Sequence, residues 1–311
     1  MGARYAVGVG SGTSAIELCL RAAEITGEVI TSPLTTPFTG LAILAAGAKP
    51  RFADIDPDTL LLDPNDAGNR IRRQTSAILP VHLYGQPCDL HRFAQLGKPL
   101  IQDACQAHGA RLRGRSLTRF SPYVAYSFYP TKNLGCLGDG GAVTTNSKRV
   151  ADRIRLLRDG GRGPNHVSLE RGVNSRLDEM QACYLSAFLP HLANWNVRRA
   201  WIASLYDHAL RDCDGVRLVR RTPESVNHLN VIRVKRRDKL REYLRRNGVS
   251  AGVHYPVPLH LHPTFADCGA KRGDLPIAER AAREVLSIPL SPYISDAEAH
   301  SVAEHVLRFF S

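Results

Sequence analysis

The sequence predicts an α/β protein, with a large doubly wound domain of mostly parallel sheet followed by a small C-terminal α+β domain. Strand-like and helix-like segments alternate for more than a hundred residues from the N-terminus, which implies parallel pairing with right-handed crossovers. His82, Asp103 and the turn from Ser127 to Lys132 fall where strands end, the edge at which such sheets collect ligands. Beyond Gly215 the regular alternation stops and irregular strand-helix-strand units take over.

A short apolar run leads into Gly-Val-Gly-Ser-Gly-Thr at 8–13, and a helix follows from Ser14. A glycine-bearing turn at a helix N-terminus offers free N–H groups and partial positive charge, which suits a phosphate; Ser and Thr are equally common as plain caps. The spacing is neither a dinucleotide fingerprint nor a Walker loop. Strands are expected at 28–31, 50–54, 76–82 and 99–103, with helices at 38–46, 64–73 and 90–96 between them. A further strand, 123–128, precedes the Lys132 turn, and a glycine-rich return enters another at 142–145. A basic amphipathic helix is expected at 147–160, and a long helical region at 175–213, interrupted at Pro190. The C-terminal part reads as strands at 216–219, 228–234 and 249–254 and helices at 238–247, 279–286 and 296–310. The boundary falls near 190–214, inside helix, giving domains of 1–200 and 201–311.

Composition narrows the class. An apolar fraction of 43% is that of an ordinary globular protein. No apolar run approaches the ~20 residues of a membrane span, and the first residues carry no basic-then-apolar leader, so a cytoplasmic protein is expected. Seven scattered cysteines, never in C-x-x-C spacing, argue against a disulfide framework or zinc site. The net charge of +12 is mostly arginine. No nucleic-acid module accompanies it, and a polyanionic small substrate such as a nucleotide diphosphate fits the balance equally well.

Lys132 is chemically conspicuous: no other charge lies between Arg119 and Asp139, and its neighbours are Pro, Thr, Asn and Gly. An amine held away from water and other charges loses its proton more easily and becomes a nucleophile; alone, such a residue is more often an idle loop lysine. Asp103, ending a buried strand, could cap a turn or pair with an arginine, or could hold a pyridinium nitrogen protonated. Gln106 would reach the same ring if Asp103-Ala-Cys-Gln makes a helical turn. Together with Gly12, Thr13 and Ser127, these residues stand in the order a pyridoxal-phosphate site requires.

The succession S-G-T, G-A-K-P-x-F-A-D-I-D-P-D-T, P-V-H-L-Y-G-Q, Q-D-A-C-Q-A-H-G-A, S-F-Y-P-T-K-N-L-G and N-S-R-L-D-E-x-Q-A closely resembles the DegT/StrS family of nucleotide-sugar aminotransferases, from about Tyr5 almost to the C-terminus. The resemblance implies a fold-type I transferase with pyridoxal 5'-phosphate as cofactor and no metal. Lys132 matches the lysine that bonds to the cofactor and shuttles the proton, Asp103 the partner of the pyridine nitrogen, and Gln106 the residue near the phenolic oxygen. Gly12, Thr13 and Ser127 match the phosphate cradle. Asn174 matches an asparagine that crosses to the neighbouring subunit's cofactor phosphate, which implies a homodimer with shared active sites. Arg176 would lie near that shared site, with a structural salt bridge as the alternative. His254, Tyr255 and His260 belong to a stretch resembling the family's H-Y-P-x-P-x-H-x-Q-P segment beside the sugar-nucleotide pocket, and this version is most similar to the branch acting on 3-keto sugars. His82 and Thr36 join them as candidate substrate contacts. The expected reaction moves an amino group from an amino acid, L-glutamate by analogy, to a keto-deoxy sugar on a nucleotide diphosphate.

Three departures bear on that expectation. Family members carry several dozen residues ahead of the position of Tyr5, Thr36 stands where an aromatic usually stacks on the cofactor, and Gln102 replaces the usual glutamate. The competing expectation is a truncated non-catalytic paralogue that serves as a dimer partner or sensor. A dehydratase of the same family is disfavoured, because those relatives have histidine in place of Lys132.

Overall fold

Apolar strand segments closed by small or glycine-bearing turns and helices opened by polar caps make up a computed structural model that describes residues 2–311. The first part comprises β1 (Tyr5–Val9), α1 (Gly12–Ala22), β2 (Glu28–Thr31), α2 (Pro37–Ala45), β3 (Lys49–Phe52), α3 (Pro64–Asn69), β4 (Thr75–Leu79), α4 (Leu90–Gln95) and β5 (Gln102–Asp103). A small hairpin, β6 (Arg111–Leu112) and β7 (Arg115–Ser116), leads to β8 (Val124–Ser127), β9 (Gly141–Thr145) and α5 (Lys148–Arg158). The chain continues through α6 (Glu179–Phe188), a 3-10 turn at Leu189–His191, α7 (Leu192–Leu210), β10 (Arg217–Leu218), β11 (Asn230–Arg233), α8 (Arg237–Arg246), α9 (Pro276–Glu284), β12 (Val285–Ile288) and α10 (Asp296–Phe310).

Two ladders, β1-β9-β8-β5 and β4-β2-β3, form the large sheet. They meet through parallel bridges between Ile78 and Leu100 and between Val81 and Asp103. Pairing is parallel from β8 through β3, as the alternation predicts. Strand β9 runs antiparallel to both its neighbours, because a turn without a crossover helix connects it to β8. Strand β1 is therefore parallel to β8, so the carboxyl ends of β1, β2, β4, β5 and β8 share one edge. Helix α1 covers the sheet together with α2 and α5, its buried face made of Ala15, Ile16, Leu18, Cys19 and Leu20.

The small sheet is antiparallel, in the order β10-β11-β12. Its core joins Ile202, Tyr206 and Leu210 of α7 to Leu240 and Leu244 of α8 and Val302 and Val306 of α10. Leu259, Phe265, Leu275 and Ala278 instead pack into the core of the large sheet. Phe265 lies so close to Gly40 that a Cβ there would come within 2.5 Å of the ring.

Several expected elements differ: α3 ends at Asn69 rather than 73 and β5 covers only Gln102–Asp103, and three others depart further. Residues 249–254 form no strand: Gly252 makes a single antiparallel bridge to Ser287, and a Cβ at Gly252 would meet the His254 ring at 2.8 Å. The helix expected at 279–286 begins at Pro276 and stops at Glu284, and Val285–Ile288 pairs with β11 as β12. The long helical region starts at Glu179 rather than Ser175, whose backbone N–H instead bonds Arg158 O. Among the described residues no helix is long and apolar enough to cross a membrane.

Candidate active site

The shared carboxyl edge of the sheet gathers the polar residues singled out in the sequence. Strand β1 ends at Val9, and the chain turns through Gly10 and Ser11 into α1. Ser11 caps that helix by accepting from Ser14 N, which leaves the Gly12 and Thr13 N–H groups at the helix start without a protein partner among the described residues. A Cβ on Gly12 would stand 2.6 Å from Ser127 Cβ and 2.8 Å from Cys105 Sγ. Glycine is thus what allows the helix start to close on Ser127, and the two form a cradle of N–H and hydroxyl groups suited to a phosphate.

Asp103 ends β5 and is 3% exposed. Its carboxylate accepts from Thr39 Oγ1 at 2.8 Å and from Cys105 N at 3.1 Å, and no arginine or lysine forms a salt bridge with it among the described residues. Gln106 accepts from Tyr84 N at 2.6 Å and donates to the Tyr255 hydroxyl at 3.2 Å. Burial, and secondarily the Asp103 charge, push the Tyr255 phenol up to about 12, while Gln106 and Thr36 act in the opposite sense. Thr36, Asp103, Gln106 and Tyr255 therefore form one group. Tyr84, held at φ 60°, donates its hydroxyl to His254 O at 2.5 Å.

Lys132 is half-buried in the turn after β8. Burial holds its ammonium below the ordinary lysine range, and nearby Cys105 and Asp103 partly oppose that shift. The turn is braced behind the lysine. Asn133 donates to Asn196 Oδ1 and Val226 O and accepts from His228 Nδ1 at 3.0 Å; His108 Nε2 donates to Ser127 O at 2.8 Å. A Cβ at Gly135 would lie 2.6 Å from Pro130 O, so the return needs glycine. His254 bonds Ser287 Oγ through Nδ1, and burial followed by the Lys132 charge lowers its pKa.

Other candidates lie apart from this group. His82 is fully buried under the sheet edge, with Nε2 facing Gln102 Oε1 at 3.1 Å and Nδ1 accepting from Cys88 N at 3.0 Å; both ring nitrogens are occupied, so none is free for a substrate. His260 is buried against Glu279, 3.1 Å away, and beside Phe52. Arg176 pairs with Asp159 at 3.1 Å and is otherwise exposed. The Asn174 backbone bridges to Asp159, while its side chain makes no hydrogen bond among the described residues. Ser175 accepts from Gly10 N at 2.9 Å, docking this segment on the turn before α1.

Thr39, Tyr84, Cys105, His108 and His228 were not singled out from the sequence. The left-handed turn Leu-Tyr-Gly after His82 was the one available local signal. Apart from the Cys105 N–H bond to Asp103 two residues back, the other contacts join residues remote in the chain.

The chain matches the sequence model of the DegT/DnrJ/EryC1/StrS aminotransferase family over residues 1–307. It is 43% identical to a dTDP-3-amino-3,4,6-trideoxy-alpha-D-glucose transaminase of Streptomyces venezuelae, covering 97% of this chain and 82% of that protein. It is 41% identical to a pleiotropic regulatory protein of Geobacillus stearothermophilus, over 99% of this chain and 86% of the relative. The solved structure of S. venezuelae DesV superposes with a TM-score of 0.96 at 42% identity, covering 99% of this chain and 85% of that one.

Proposed function

The chain belongs to the DegT/DnrJ/EryC1/StrS aminotransferase family, and from that premise we propose that it moves an amino group from an amino acid, L-glutamate by analogy, to the ketone of a deoxy sugar linked to a nucleotide diphosphate. The observation that carries this is the lysine of lowered pKa beside a buried, unpaired carboxylate and a helix N-terminus closed on Ser127. The similarity to a 3-amino-sugar transaminase supports a 3-keto acceptor.

These residues fit pyridoxal 5'-phosphate. Asp103, buried without a salt bridge among the described residues, would hold the ring nitrogen; the Gly12 and Thr13 N–H groups with Ser127 would hold the phosphate; Gln106 and Tyr255 would face the ring substituents; Lys132 would be the point of attachment. Bound there, the cofactor supplies an electron sink that stabilises negative charge at the substrate carbon. Lys132 Nζ, kept easier to deprotonate by burial, would serve as the base that takes the proton from the substrate carbon and gives it back. Asn133, His228 and Asn196 hold the turn so that this nitrogen is aimed rather than free. His254 and Tyr255 would border the sugar, with Thr36 beside Tyr255. Asn174 and Arg176 would act across a homodimer interface, which the unengaged Asn174 amide supports.

The test is spectroscopic and kinetic. Wild-type protein mixed with pyridoxal phosphate should gain a long-wavelength absorbance band and form 2-oxoglutarate from glutamate with a 3-keto nucleotide sugar. Lys132→Met should lose both. A wild type that stays colourless with added cofactor overturns the proposal. A loaded protein inactive on a panel of 3- and 4-keto sugar nucleotides would favour a non-catalytic role.

A further inference from the structure

Behind the Lys132 turn lies a cavity of about 350 Å³, bordered by Lys132, Asn133, Tyr184, Trp195, Arg199 and Tyr293. Its lining carries two cations, Lys132 and Arg199, and no carboxylate. Arg199 is 7% exposed. Its Nη1 donates to His228 O at 3.3 Å and Leu290 O at 3.1 Å, while its buried Nε has no partner among the described residues. Among the described residues no acid forms an ion pair with it. Burial pulls its pKa down to about 10, and Tyr293 is the one group acting to raise it.

A guanidinium buried without a counter-charge is costly, and so is a buried N–H left without an acceptor. Carbonyl contacts at Nη1 answer only part of the donor fork. A carboxylate in the cavity that Arg199 lines answers the missing counter-charge, because a guanidinium offers a planar anion charge-assisted N–H bonds, while the fully buried Nε stays enclosed. Tyr184 and Tyr293 also line the cavity, and the rings of Phe188 and Trp195, stacked at 5.9 Å, give an apolar wall for a short methylene chain. A small dicarboxylate fits this volume.

We propose that Arg199 and this cavity form a carboxylate site that receives the side-chain carboxylate of the amino-acid donor, placing the donor against the turn that carries Lys132. It rests on the aminotransferase reading of the Lys132 site and adds the residue that selects an acidic donor.

The test uses the full-length, cofactor-loaded protein. Glutarate, a dicarboxylate that cannot be transaminated, is titrated calorimetrically into the wild type, Arg199→Gln, Arg199→Lys and Ser291→Phe, the last filling the cavity without removing the Arg199 bond to Leu290 O. Glutarate should bind the wild type saturably and about tenfold or more weaker to Arg199→Gln and Ser291→Phe, with partial recovery in Arg199→Lys. The glutamate KM should rise by a similar factor while the keto-sugar KM stays within about twofold. Equal glutarate affinity in the wild type and Arg199→Gln overturns the inference, as does loss in Arg199→Gln without loss in Ser291→Phe. Displacement of glutarate by UDP or inorganic phosphate, with phosphate affinity lost in Arg199→Gln, reassigns the site to phosphate and also overturns it. Should Arg199→Gln fail to fold, Ser291→Phe alone decides. Glutarate binding does not depend on turnover, so the inference can fail on an active enzyme and the function can fail on a protein that binds glutarate.

Discussion

Asp103 is the residue at which burial and charge conflict most directly. A carboxylate 3% exposed, with a hydroxyl and a backbone N–H as donors and no salt-bridged cation among the described residues, is poorly compensated on its own, and a pyridinium nitrogen would complete it. Asp103→Asn keeps the shape: its oxygen can still accept from Cys105 N while its NH2 donates to Thr39 Oγ1, whose own hydroxyl can turn to Thr35 Oγ1, so the melting temperature should hold. Turnover should fall by on the order of a hundredfold or more, because the charge that stabilises the reacting centre is gone. Parallel calorimetric melting and steady-state assays check this, and an Asn variant of near wild-type turnover would remove Asp103 from the chemistry. Lys132 and Asp103 were legible in the sequence because each is an isolated charge at the end of an apolar run. Thr39 and the His228–Asn133 bond were not: a threonine or histidine with no local pattern acquires its partner only when remote segments end side by side. His82 and His260 show the converse. Both look reactive in sequence, yet folding gives His82 two neutral partners and sets His260 against Glu279.

Among the elements, α1 and α9 carry the clearest consequences of close packing. Gly12→Ala would drive a methyl against Ser127 Cβ and Cys105 Sγ, costing about 1–3 kcal/mol and spreading the cradle. Cofactor affinity should drop more than stability does, read as the pyridoxal phosphate concentration needed for half-maximal absorbance; unchanged affinity would place the phosphate elsewhere. Helix α9 is anchored from the segment after β3: Asp54 accepts from Ile277 N and Ala278 N at its start, and from Ile55 N. Asp54→Ala removes a cap and leaves buried donors unmet, so urea unfolding should show a loss of about 2 kcal/mol. Helices with polar caps and apolar faces were readable from sequence to within a few residues, as at α1, α5 and α10. The strand at Val285–Ile288 was not, since it follows α9 without a break and its pairing is with β11. The missing strand at 249–254 has the same origin: apolar residues there pack by side chain, and only Gly252 reaches a ladder.

Across the whole molecule, buried histidines tie stability to pH. Burial holds His82 down at about 4, and burial first, then Lys132, lowers His108 to about 3 and His228 well below the ordinary value. Each is neutral in the folded protein over a range in which the unfolded chain binds a proton. Between each lowered folded pKa and about 6.5 the unfolded state therefore holds more protons, and unfolding free energy rises with pH across that window. The contribution is fully present above about pH 6.5 and is lost as pH falls; for His82 the loss runs down to about pH 4 and amounts to roughly 3 kcal/mol at most. Because His108 and His228 sit behind the Lys132 turn, acid should loosen the active site together with the core instead of fraying the periphery. His82→Gln can keep a donor toward Gln102 and an acceptor for Cys88 N while removing one titration. Urea unfolding at intervals from pH 4 to pH 7 should then give a shallower slope for the variant than for the wild type, with the two converging in slope above about pH 6.5. Parallel curves throughout would mean that His82 is as easily protonated in the folded protein as in the unfolded chain, contrary to its burial between Gln102 and Cys88.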